Sequence, residues 1–173
     1  MTIEVVLVEP EIPQNTGNIA RTCAAIGAHL HLVEPLGFSI EERAVRRAGL
    51  DYWPYLSVSV WPDLARLMAV IDPIDDSNQR AGEEPAGLYY ATTKGQTVYS
   101  DVLYPKRTVL FFGKETKGLP EELLLAHPER CLRIPMLPGR RSLNLSNAVA
   151  IMVYEVQRQH DYPGLQKRGP SES

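Results

Sequence analysis

Cysteine is nearly absent from this chain. Two occur in 173 residues, Cys23 and Cys131, too few and too far apart for a disulfide framework or a metal-ligand spacing. No run of about eighteen apolar residues occurs, so no membrane-spanning helix is expected. The opening Met1-Thr2-Ile3-Glu4-Val5 enters a strand pattern with no basic region and apolar block before it, which speaks for a cytoplasmic protein without a secretory leader. The four histidines, His29, His31, His127 and His160, show no ligand spacing. G-x-S-x-G and G-x-G-x-x-G are missing, and the glycine-lysine turn at Gly113 is not a complete P-loop. Metal catalysis, a Ser-His-Asp hydrolase and an ordinary dinucleotide site are therefore not expected. A net charge of −3 also lacks the positive excess of a passive nucleic-acid coat.

What is present suits one folded domain over residues 1–160, with a loose surface loop at 72–87 and a flexible tail at 161–173. Hydrophobic residues make up 44% of the chain, enough for a single core. Strand-like runs fall at Ile3–Val8, His29–Val33, Leu56–Val60, Leu88–Thr92, Thr108–Phe112 and Cys131–Ile134. Most are apolar on both faces, as in strands buried within a parallel sheet. Helical spacing occupies Thr16–Ile26, Ile40–Ala48, Asp63–Val70, Pro120–Ala126 and Leu145–Gln159. The alternation predicts the α/β class: a mostly parallel sheet with helices on both faces. Cys23, on the apolar face of the first helix, reads as a packed thiol.

Three loops fall where such sheets bind ligands, beyond the carboxyl ends of strands. The first, Glu9-Pro10-Glu11-Ile12-Pro13-Gln14-Asn15-Thr16-Gly17-Asn18, leads into a helix carrying Arg21. Asn18 and Arg21 are three apart and share a face. Asn15 or Thr16 could instead cap the helix. Arg21, near a positively polarised helix start, suits an anionic partner such as phosphate. The second is Phe112-Gly113-Lys114-Glu115-Thr116-Lys117-Gly118-Leu119-Pro120, on local grounds a charged turn or an anion loop. The third runs from Ile134-Pro135-Met136 through Arg141-Ser142-Leu143-Asn144-Leu145-Ser146-Asn147 into the last helix. It brings backbone amides, a cation, a hydroxyl and a carboxamide into one volume. Basic residues cluster at Arg43, Arg46 and Arg47, at Lys106 and Arg107, at Lys114 and Lys117, and at Arg140 and Arg141, which tilts the reading toward RNA.

Taken in order, these loops resemble the three signatures of the SpoU branch of the SPOUT RNA methyltransferases. The short length, the Glu9–Pro13 lead-in and Arg46-Arg47-Ala48-Gly49-Leu50-Asp51-Tyr52 are similar to its small wobble-position ribose 2′-O-methyltransferases. The resemblance runs from about Ile3 to Gln159. It implies a C-terminal deep trefoil knot, a feature that topology rules would otherwise reject. It also implies a homodimer and S-adenosyl-L-methionine as cofactor. By the same resemblance the cofactor would be held by Ala91, Gly113, Glu115, Ile134, Met136, Ser142, Leu143 and Asn144. Arg21, Asn15 and Asn144 would be catalytic, and Asn18, Arg21, Arg46, Arg141 and Tyr154 would face RNA. Tyr154 shares a stripe with Asn147 and Arg158 suited to RNA or subunit contact, and core or dimer packing is the favoured single role for it.

The implied reaction is methyl transfer to the ribose 2′-hydroxyl of a wobble pyrimidine, or a related nucleotide, in the tRNA anticodon loop. Ribosomal RNA or another tRNA position is the alternative substrate, and a non-catalytic knotted RNA-binding module the alternative class. Because guanidinium groups stay protonated in proteins, Arg21 is expected to grip phosphate and stabilise alkoxide charge rather than act as a base. The chain departs from the family pattern at Asp72–Gly87, which is longer than usual. It also departs at Lys114 and Lys117, where relatives often carry proline or serine, and arginine.

Overall fold

The computed structural model describes residues 1–39, 56–71 and 85–169. The expected helix at Ile40–Ala48, the Arg46–Tyr52 segment and residues 72–84 of the expected loop lie outside the described residues. The elements are β1 (Thr2–Val8), α1 (Pro13–Ile26), β2 (His29–Val33), β3 (Ser57–Trp61), α2 (Leu64–Ile71), β4 (Gly87–Ala91) and β5 (Thr97–Val98). They continue with β6 (Arg107–Phe112), α3 (Glu121–Ala126), a 3-10 turn (Pro128–Arg130), β7 (Cys131–Arg133) and α4 (Leu145–Gln159).

The seven strands form one sheet in the order β3-β2-β1-β6-β4-β7-β5, and every pairing is parallel. The two-faced apolar runs have this cause: each inner strand must meet a covered face on both sides. Ile3, Val5 and Leu7 of β1 pack with Ile19 and Cys23 of α1 and with Val149, Met152 and Val156 of α4. Val6 and Val8, on the other side, pack with Leu67 and Ile71 of α2 and Leu124 of α3. Cys23 is fully buried, and burial pushes its thiol up to about 12. It is a packing residue, as the sequence implies.

Two local readings change. α1 begins at Pro13 rather than Thr16 and has Ile12 at its N-cap with no side-chain capping bond. The capping role considered for Asn15 or Thr16 is therefore corrected: both lie inside the first turn and are buried. Proline at the first helical position explains the earlier start, since its fixed φ and missing N–H suit that place. β5 was not expected. Two residues are too few to show alternation, and its strand character comes from pairing beside β7.

β1 and β6 are neighbours, and their following helices leave on opposite faces: α1 with one core cluster, α3 with the other. Such a divergence opens a crevice at the carboxyl ends of the two strands.

Candidate active site

The three loops meet at that edge of the sheet. Glu115, three residues beyond β6, is the hub. Its Oε2 accepts the Glu11 amide N–H at 2.9 Å, and its Oε1 accepts the Ile12 amide at 3.3 Å and Asn15 Nδ2 at 2.8 Å. A carboxylate can only accept, so Asn15 must turn its NH2 toward Glu115 and its oxygen away. That oxygen accepts Asn144 Nδ2 at 2.9 Å. Asn144 in turn caps α4, its Oδ1 accepting the Ser146 amide at 2.9 Å and the Ser146 hydroxyl at 2.7 Å. An aligned chain of polar bonds thus runs from the start of α4 through Asn15 to Glu115, each bond polarising the next.

A clasp beside it holds the first two loops together. The Glu11 carboxylate accepts the Thr116 amide and hydroxyl, both at 3.0 Å, while the Glu115 carboxylate takes the Glu11 amide in return. Glu9, at φ +52, pairs with Lys114. That bond holds the Lys114 ammonium above its usual range. The 113–119 loop is folded tightly on itself: a Cβ on Gly113 would stand 1.9 Å from Gly118 C and 2.0 Å from Leu119 N. Only glycine fits there, and Gly118 at φ +74 completes the turn.

Of the expected site residues, Asn15, Glu115 and Asn144 are brought into direct contact. Ala91, Gly113 and Ile134 stand at the carboxyl ends of β4, β6 and β7, adjacent along one edge. Ala91, Ile134 and Met136 are half-buried and Gly113 is buried, whereas Arg141, Ser142 and Leu143 are exposed on the approach to α4. Small or apolar side chains at these strand ends leave backbone groups open to a planar, hydrogen-bonding ligand, a donor set that fits an adenosyl group. Asn18 and Arg21 are both exposed on α1. Tyr154 is exposed on α4, about 15 Å along the helix from Asn144. Arg46 lies outside the described residues.

Sequence reasoning missed the clasp made by Glu9 and Glu11. Its signal was two carboxylates one proline apart, directly after a strand, in a chain whose second loop carries Lys114 and Thr116.

Comparison with known proteins agrees with this arrangement. The SpoU rRNA methylase family matches residues 2–154. A tRNA (cytidine(34)-2′-O)-methyltransferase of Escherichia coli (strain K12) is 45% identical over 163 residues, covering 94% of this chain and 96% of that protein. A solved structure concerned with 2-OH methylation of C/U34 on tRNA has a TM-score of 0.81 and 38% identity, covering 92% of this chain and 97% of the other. The SpoU methyltransferase AviRb from Streptomyces viridochromogenes, in complex with AdoMet, has a TM-score of 0.77 at 26% identity, over 92% of this chain and 58% of that longer one. From Thr2 to Tyr154 this chain belongs to the SpoU rRNA methylase family.

Proposed function

We propose that this protein transfers a methyl group from S-adenosyl-L-methionine to the ribose 2′-hydroxyl of the wobble nucleotide, C34 or U34, in the tRNA anticodon loop. The observation that carries this is the hydrogen-bonded junction of Asn15, Glu115 and Asn144, which joins all three signature loops. Near-full-length relatives with that named activity support the substrate.

The cofactor would lie against Ala91, Gly113, Glu115, Ile134, Met136, Ser142, Leu143 and Asn144. When bound, it supplies a methyl group already activated on a sulfonium. The protein's task is then to bring the ribose hydroxyl into line, and positioning of this kind supplies much of the rate. Asn15 and Asn144, fixed by their partners, orient the reacting groups. Arg21 holds the phosphate beside the target ribose and stabilises charge developing on the hydroxyl oxygen, which passes its proton to water. Asn18, Arg46, Arg141 and Tyr154 contribute to the RNA-facing surface.

The reading extends to a cytoplasmic homodimer with one methyltransferase domain over residues 1–160; the expected flexible tail is corrected over 161–169, where the Tyr162 amide donates to Gln157 O at 2.8 Å and Leu165 packs against the core. It includes a C-terminal trefoil knot. Its support is that β7 inserts between β4 and β5. The Thr92 amide donates to Leu132 O at 2.9 Å and the Tyr99 amide to Arg133 O at 3.0 Å, so the earlier 92–99 segment embraces the later strand. The chain then returns to pack α4 on α1 and β6.

The test is incubation with labelled S-adenosyl-L-methionine and total RNA, followed by nuclease mapping and mass spectrometry. Label on the ribose of tRNA position 34 is the expected result. Label confined to ribosomal RNA would overturn the tRNA assignment and favour the substrate in the family's own description. No transfer and no cofactor binding by calorimetry would leave a binding module.

A further inference from the structure

A cavity of about 420 Å³ opens between the carboxyl ends of β1 and β6, beside the junction but using none of its residues. Val8, Leu119 and Pro120 give it an apolar floor, and three lysines, Lys94, Lys114 and Lys117, stand around it. Glu9 and Glu121 also line it. Glu9 pairs with Lys114, and Glu121 pairs with Lys94 at 2.7 Å, so three cations against two carboxylates leave a surplus positive charge. The Lys94–Glu121 side chains are both more than 60% exposed, and such surface pairs rearrange easily when a stronger partner arrives.

Position, size and chemistry agree. The cavity sits at the point where α1 and α3 diverge, the crevice that parallel sheets offer to ligands. Its volume exceeds what a bare phosphate needs and falls within the range of small-molecule pockets. The carboxylates would repel a lone anion, but they suit a ligand that also carries N–H donors. Lys114 and Glu115 are adjacent in sequence; Glu115 binds Asn15 while Lys114 lines the cavity, so one loop serves both places.

We propose that this cavity receives a second, unpaired nucleotide of the RNA, distinct from the one methylated. Its phosphate meets Lys94 and Lys117, its base lies over Val8, Leu119 and Pro120, and an exocyclic amine donates to Glu9 or Glu121. RNA is read in this manner in loops, where unstacked bases can be splayed into a protein pocket. The proposal rests on the RNA-methylating reading above.

The experiment measures binding of a tRNA anticodon stem-loop to the wild type and to K94A and K117A over a range of salt, with thermal melting and S-adenosyl-L-methionine calorimetry to confirm an intact fold. Each variant is expected to weaken binding several-fold and to reduce the slope of log Kd against log salt by about 0.7, the value for one single-strand phosphate contact. Stem-loops made abasic at one position at a time should reveal one base, other than base 34, whose removal weakens the wild type more than the K94A/K117A double variant. Unchanged slopes overturn the proposal. Reduced slopes without such a base also overturn it, because they describe a phosphate contact and no nucleotide pocket. If the wild type does not bind the stem-loop at all, the proposed function itself fails, a result separate from these two.

Discussion

At the scale of single residues, the site rests on groups whose chemistry admits few replacements. Glu115 accepts three N–H groups from the first loop. A glutamine there has one accepting oxygen and turns an NH2 toward a donor. Glu115→Gln should therefore destabilise the fold by about 1 kcal/mol, the net worth of one hydrogen bond to a part-buried donor, and should depress methyl transfer further by releasing Asn15. Urea midpoints and transfer rates measured on the same preparations check both. Arg21→Lys separates two roles. Lysine keeps the charge and is the better proton acceptor, but it loses the fork that binds a phosphate in two places. As a phosphate ligand, Arg21→Lys should lower kcat/KM by roughly 10- to 100-fold, equivalent to one charged contact, with the pH profile unmoved. Retained activity on a shifted profile would make this residue the base. The types of these residues were legible in the sequence, since Asn15, Glu115 and Asn144 stand in recognisable loops. Their mutual bonds were not, because they join positions 100 and 129 residues apart and no local pattern encodes such a distance.

At the scale of elements, the long periodic segments were the most legible. β2 and α4 occupy the predicted bounds, His29–Val33 and Leu145–Gln159, because their side-chain periods extend to their ends. α1 was read three residues short because Pro13, Gln14 and Asn15 carry little apolar signal; the proline at its start marked the true boundary. The first and second loops behave as one unit, since Glu11 binds Thr116 while Glu115 binds the Glu11 backbone. Glu11→Gln keeps one acceptor for Thr116 and removes the charge. It should leave cofactor affinity nearly intact while lowering the melting temperature by a few degrees, in keeping with about 1 kcal/mol for a domain of this size. A loss of S-adenosyl-L-methionine binding as large as that of Glu115→Gln would show that the clasp shapes the pocket directly.

At the scale of the whole molecule, the far end of the sheet sets the response to acid. Glu4 accepts Arg107 Nε at 3.0 Å and bonds His31 Nε2 at 3.0 Å. Burial alone would raise its carboxyl, but those two partners outweigh it and hold it below the usual range. A depressed carboxylate stabilises the fold at neutral pH; this contribution begins to decline as pH falls past the ordinary value of about 4.3 and is gone only below the lowered folded value. His29, between Ser57 and Ser59, is lowered by burial and then by His31. The unfolded chain takes that proton first, so stability also declines as pH drops through about 6.5. Denaturant midpoints should fall in two steps with acid. His29→Gln should remove the upper step, and Glu4→Gln should reduce the lower, to which Glu155, held low by Arg158, also contributes. None of this was visible in composition, where these side chains read only as alternate positions on strands.

Asn15 and Asn144 touch although 129 residues separate them. The ribosome makes Asn15 well before Asn144, so a chain that has not reached Asn144 cannot form the junction. In the proposed mechanism the orienting pair is therefore completed only once Asn144 has been made. Products that stop short of Asn144 carry the first loop and much of the sheet, but they lack the orienting pair on which the proposed methyl transfer depends.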